Sequence, residues 1–238
     1  MKQKPTVVLV HGAFADSSSW SGVVEKLQAD GYTVVAASNP LRGLHDDAAY
    51  VRQLVASIEG PVVLAGHSYG GAVITNAATG LNNVKALVYV AAFVPDEGES
   101  ALDLAGKFPG STLGETLHPV PVDLADGSGA ADLYIKQEMF HRQFAADLPE
   151  GTATVMAAMQ RPVTNVALEQ ASSAPAWKDI PSWFLVAAQD QNIPPQTQTW
   201  MAERAGATTV EVTASHAVSV SRPGDVARLI AEAAQVTE

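Results

Sequence analysis

Gly66-His67-Ser68-Tyr69-Gly70-Gly71 is the stretch on which the fold turns. The run before it, Val62 to Ala65, is apolar at consecutive positions, as in a strand buried on both faces. The run after it, Gly70 to Thr79, has a helical pattern. A serine between glycines in a strand-to-helix turn has the form of a nucleophile elbow. Such a turn strains the serine backbone and lifts the hydroxyl above the sheet edge. Glycines two residues to either side let strand and helix approach, and the helix N-terminus favours negative charge developing nearby. Glycine-rich turns also cradle phosphates, but no Gly-Lys-Ser/Thr follows here.

Outward from this turn the chain alternates buried strands with amphipathic helices. Strands are expected at Thr6–Val10, Tyr32–Ala37, Val84–Val90, Trp183–Ala188 and Thr208–Val212. Helices are expected at Ser19–Asp30, Asp46–Glu59, Gln196–Ala205 and Pro223–Gln235. Alternation of this kind builds an α/β fold around a parallel sheet with right-handed crossovers. From Asp96 to Lys178 no strong strand is read, and helices are expected over Ala130–Ala146 and Thr152–Gln160.

A serine hydroxyl is a weak nucleophile and needs a base, which an acid must orient. Asp190 follows the Trp183–Ala188 strand, and His216 follows the last strand. Both are placed at carboxyl ends of strands, the edge where open α/β sheets carry their sites. Asp96, after the fourth strand, is the rival acid. A tetrahedral intermediate needs two oxyanion donors. Tyr69 N–H is one, and Ala13, with Phe14 next, supplies the other from the loop after the first strand. His11 and His67 are read as bracing residues. His45, His118 and His141 are scattered without metal-ligand spacing, so no metal and no cofactor are expected.

The chain has 238 residues and a formal charge of −11, which disfavours nucleic acid and anionic lipid partners. It has no cysteine, which removes thiol catalysis and zinc–thiolate sites. Lys2 and Lys4 precede an apolar run that His11-Gly12 interrupts, short of the roughly 7–15 apolar residues of a secretory leader. No run approaches the roughly 18–20 apolar residues of a membrane span. The expectation is a cytoplasmic monomer or homodimer.

On these residues the chain resembles the α/β-hydrolase superfamily, in the branch of small bacterial esterases, plant methyl esterases and hydroxynitrile lyases. Val8-Leu9-Val10-His11-Gly12-Ala13-Phe14 running to Trp20, the segment Gly66 to Ala72, and Ser215-His216 followed by Ser221-Arg222-Pro223 carry the likeness. The resemblance implies a mostly parallel six-stranded sheet with helices on both faces. It also implies a core of residues 1–95 and 179–238, a helical cap or lid over 96–178, and Ser68, Asp190 and His216 as a catalytic triad. Tyr69 is larger and more polar than the aliphatic residue often found at its position.

Serine at position 68 argues against epoxide hydrolases and haloalkane dehalogenases of this fold, which use aspartate there. The leading expectation is a serine hydrolase cleaving small carboxylic esters through an acyl-enzyme. Two alternatives are a triad-bearing relative with other chemistry, such as a hydroxynitrile lyase or cofactor-free perhydrolase, and a ligand sensor on a hydrolase scaffold. The lyase reading needs a lysine near the histidine, for which the insertion offers Lys107, Lys136 and Lys178. Phe93, Phe140, Phe144, Met159 and Trp177 are expected to line the substrate pocket.

Overall fold

The computed structural model describes residues 4–235, so Lys2 lies outside the described residues. Six parallel strands form the central sheet: β1 (Thr6–Val10), β2 (Thr33–Ala37), β3 (Val62–His67), β4 (Val84–Val90), β8 (Ser182–Ala187) and β9 (Thr208–Val212). Their order is β2-β1-β3-β4-β8-β9, with β2 and β9 at the edges. Helices cover both faces, as consecutive apolar residues in the strands require. Val7, Leu9, Val63 and Val88 pack with Trp20, from the short 3-10 turn before α1 (Ser21–Ala29), and with Leu27 of α1 and Ile230 of α11 (Pro223–Gln235). Val8, Val10, Leu64 and Leu87 pack on the other face with α2 (Leu44–Ala56), α3 (Tyr69–Ala77) and α9 (Pro195–Arg204). The expected strands and flanking helices are all present, with ends moved by at most three residues.

Between β4 and β8 the chain leaves the sheet. It forms α4 (Ala101–Ala105), α5 (Leu113–Thr116), β5 (Leu117–Asp123), β6 (Gly129–Ile135), α6 (Gln137–Phe144), α7 (Glu150–Met159), β7 (Val163–Thr164) and α8 (Asn165–Glu169). Here the expectation of one helix over Ala130–Ala146 is corrected: its first part is strand β6, and only the second part is helical. β5, β6 and β7 make a small antiparallel sheet that the sequence reading missed. Asp126 drives the hairpin. Its Oδ1 accepts from Ser128 N–H (2.9 Å) and Oγ–H (2.6 Å), and Gly127 sits at φ 82°. Pro119 and Pro121 each lack the N–H that a strand ladder uses. They fall on β5, an edge strand, where two residues of the same parity can turn their missing donors outward.

The elbow depends on backbone contacts that only glycine allows. A Cβ on Gly70 would sit 2.4 Å from Val10 O, and one on Gly12 would sit 2.6 Å from Ser68 Cβ. Neither neighbour is a flexible side-chain end, so neither can yield. Gly70→Ala is therefore expected to cost at least about 2 kcal/mol in urea unfolding, at the upper part of the usual overpacking range. A variant as stable as wild type would show that β1 and α3 are not in backbone contact.

Candidate active site

Ser68 lies between β3 and α3, with its backbone at φ 54° and ψ −124°. Residues of β4 and the chain just beyond it hold it there. Ser68 N–H donates to Val90 O (3.2 Å), and Phe93 N–H donates to Ser68 O (3.1 Å). Asp190 lies in the turn after β8, and His216 lies between β9 and α10 (Val218–Ser221). The parallel sheet brings all three to one edge. Ser68 Oγ stands 2.9 Å from His216 Nε2, and His216 Nδ1 stands 2.6 Å from Asp190 Oδ2. All three side chains are buried.

The Asp190 carboxylate is fully engaged. Oδ1 accepts from the N–H groups of Asn192 (2.7 Å) and Ile193 (3.1 Å), and Oδ2 also accepts from Gln198 Nε2–H (2.9 Å). Gln198 is itself fixed by Ala187 N–H and Ile193 O, at 3.0 and 2.8 Å. This bracing amide was not anticipated, since nothing in the local sequence marks a glutamine eight residues beyond an aspartate. The rival acid, Asp96, is paired with Lys178 at 2.5 Å. That pairing holds its carboxyl below the usual range.

His67 donates from Nε2 to His216 O (2.8 Å), and its ring packs edge-on against Trp20 and Phe144. Burial, followed by the proximity of His216, pushes the His67 imidazole down to about 3. Burial also lowers His11, whose Nδ1 donates to Gly12 O (2.9 Å). Beside the elbow, Tyr69 O–H donates to Asp47 Oδ2 (2.8 Å), and Arg42 N–H donates to Asp47 Oδ1 (3.1 Å). Burial raises the Asp47 carboxyl against the opposing pull of these bonds.

Tyr69 N–H, first in α3, and Ala13 N–H have no hydrogen-bond partner among the described residues. Both residues line the cavity that contains Ser68. Phe14 is a correction: its N–H donates to Arg161 O (3.0 Å) and is not available to an oxyanion. The residue stands at φ 61°.

The cavity holds about 180 Å³ and is walled by Phe93, Leu113, Leu117, Leu133, Leu168 and Ile193, with Asn165, Glu169 and Asn192 as polar members. Of the five residues expected there, only Phe93 lines it. Phe140 is fully buried and stacks on Phe144 (4.9 Å between ring centres), whose own ring sits edge-on to His216 at 5.0 Å. Met159 is exposed in a separate groove of about 410 Å³ beside α7, which touches none of Ser68, Asp190 and His216. Trp177 donates from Nε1 to Pro95 O (2.9 Å) and lies under Lys178 and Arg204. The β5–β6 hairpin explains the shift, because its leucines take the wall that a helix was expected to supply. None of Lys107, Lys136 and Lys178 lines the cavity. They lie over Trp200, against Glu115 O and against Asp96. Among the described residues no cluster of three potential metal ligands occurs, and no helix is long and apolar enough to cross a membrane.

Similarity to known proteins follows the same outline. Alpha/beta hydrolase nvfD of Aspergillus novofumigatus is 28% identical over 97% of this chain and 97% of that protein. A pyrethroid hydrolase of Sphingobium wenxiniae is 29% identical over 95% of this chain and 86% of its own. The crystal structure of polyneuridine aldehyde esterase superposes with a TM-score of 0.83 at 19% identity, covering 97% of this chain and 99% of that one. The model of the alpha/beta hydrolase family matches residues 7–229, so the chain that carries this serine–histidine–aspartate array belongs to the alpha/beta hydrolase family.

Proposed function

We propose that the protein hydrolyses small carboxylic esters, with Ser68 as nucleophile, His216 as general base and Asp190 as the acid that orients it. The observation carrying this reading is the unbroken hydrogen-bond chain from Ser68 Oγ through His216 to Asp190, opening on an apolar cavity. Ser68 Oγ attacks the ester carbonyl as its proton passes to His216 Nε2. The carbonyl oxygen becomes an oxyanion facing the N–H groups of Tyr69 and Ala13. His216 then protonates the departing alkoxide and leaves an acyl-enzyme. Water, deprotonated by His216, releases the acid and restores Ser68. Asp190 holds the Nδ1–H tautomer, so that Nε2 remains free to accept.

The neighbouring histidines do not compete for this role. His67 uses Nε2–H on a backbone carbonyl and resists protonation. The names of the relatives support ester hydrolysis, and the cavity supports compact, uncharged groups. Glu169 in its wall disfavours an anion. No lysine among the described residues lines the cavity, and the reading of an ester hydrolase is preferred to that of a lyase. We assign the lid to residues 96–178 and keep the cytoplasm as the expected location.

Ser68→Ala should lose about 10⁴–10⁶ in turnover of a chromogenic ester with its melting temperature unchanged, and Asp190→Asn about 10³–10⁴. A serine-directed phosphonate should label Ser68 alone. Retention of a tenth of wild-type activity by Ser68→Ala would remove the nucleophile assignment.

His67 also sets an acid limit on stability. Below about pH 6.5 the unfolded chain protonates this histidine, while the folded chain resists down to about 3. The unfolded state then binds more protons, so stability falls as pH falls through that window. His67→Gln keeps a donor for His216 O. In urea unfolding between pH 6 and 4, wild type should lose up to about 1.4 kcal/mol per pH unit more than the variant. Parallel slopes would show that His67 charges freely in the fold.

A further inference from the structure

The three members of the proposed triad are not equally well anchored by the sheet. Ser68 follows β3 and Asp190 follows β8, both flanked by a strand on each side. His216 follows β9, an edge strand with β8 as its one neighbour and with Thr208 to Glu211 exposed. A base must keep its Nε2 within hydrogen-bond reach of the serine, and a displacement of about 1 Å can cost 10²-fold in rate. Something besides β9 must therefore hold this loop.

The contacts around His216 show what does. The peptide N–H before the histidine, that of Ser215, donates to Asp147 Oδ2 (3.1 Å). The Ser215 hydroxyl donates to Asp147 Oδ1 (2.5 Å). The peptide N–H after the histidine, that of Ala217, donates to Phe144 O (2.9 Å). Phe144 ends α6, and Asp147 lies in the turn between α6 and α7, so both belong to the insertion rather than to the sheet core. The Phe144 ring lies against the imidazole itself. The loop is thus gripped on both flanks of the histidine by one short stretch of chain. Ser215 is buried, and partial burial of Asp147 pushes its carboxyl up, but its hydrogen bonds, that of the Ser215 hydroxyl first among them, more than offset this and hold it below its ordinary value.

We propose that Asp147 is a positioning residue for His216: it latches the histidine loop to the α6–α7 turn and keeps the base aimed at Ser68. The proposal rests on the reading of His216 as base. Asp147 touches neither Ser68 nor the cavity, and its effect passes through Ser215. It acts on the catalytic step and not on the shape of the cavity.

The test is steady-state kinetics on Asp147→Asn, Asp147→Ala and Ser215→Ala, with the rate of Ser68 phosphonylation measured alongside. Activity is expressed per phosphonylatable serine, so that misfolded protein does not count. Asp147→Ala should lower kcat about 10- to 100-fold with KM within about threefold, and phosphonylation should slow in parallel. Ser215→Ala removes only a hydroxyl and retains the N–H contact, so a smaller loss is expected. The double variant Asp147→Ala/Ser215→Ala should lose no more than Asp147→Ala alone, because the two act through one contact. If Asp147→Ala lowers the melting temperature but leaves kcat per labelled serine within twofold of wild type, Asp147 is merely structural and the proposal is overturned. Failure of the triad reading gives a different result, namely Ser68→Ala retaining activity while these variants are unaffected.

Discussion

Ser68 holds a positive φ of 54°, a conformation that costs a non-glycine residue about 1–3 kcal/mol, and the surrounding fold is arranged to keep it there. The strand before it is buried on both faces, and the helix after it starts at the next residue. Val90 and Phe93 bind its two peptide groups from the neighbouring strand and its exit. The approach of the β1 loop, possible because Gly12 and Gly70 lack a Cβ, brings Ala13 into the wall of the cavity that contains Ser68. Relaxing the elbow would shift the Ser68 hydroxyl relative to Tyr69 and Ala13, which line the same cavity. Strain, close packing and chemistry are in this sense a single requirement.

Polar bookkeeping around the elbow follows from its burial. An unpaired charge or donor in such a place costs far more than a paired one. Asp190 therefore accepts two backbone N–H groups, one amide and the imidazole, and Gln198 has no free polar atom left to compete. His67 gives its Nε2 proton to the His216 carbonyl, and burial keeps it neutral beside the other imidazole. Asp47, buried on α2, accepts from the Tyr69 hydroxyl. The large polar residue beside the nucleophile is thereby tethered away from the reacting atoms, which reconciles tyrosine with a position where an aliphatic residue was expected.

The segment between β4 and β8 contributes the cavity wall through Leu117 and Leu133 and takes up Phe14 N–H at Arg161 O. It also binds the peptides flanking His216. It is therefore more than a cover. Its small antiparallel sheet, absent from the sequence reading, is separate from the central sheet.

Periodicity alone was enough to locate the six strands and the helices between them: the four inner strands are largely apolar at consecutive positions, and the two edge strands stand out by their β-branched residues between helical patterns. It also placed Ser68, Asp190 and His216 on one edge, since every strand of a parallel sheet ends on the same side. What periodicity could not supply was the choice of partners across the chain. Gln198, Asp47 and Asp147 look like ordinary surface polar residues until the fold sets them against Asp190, Tyr69 and Ser215. Phe14 looked available as a donor until the insertion brought Arg161 O to it. Phe140, Phe144, Met159 and Trp177 looked like pocket residues because they are apolar and lie in the insertion. Their direction depended on the β5–β6 hairpin, whose alanines and prolines hid its strands. Pattern along the chain reports which residues avoid water; only the tertiary structure decides which of them face one another.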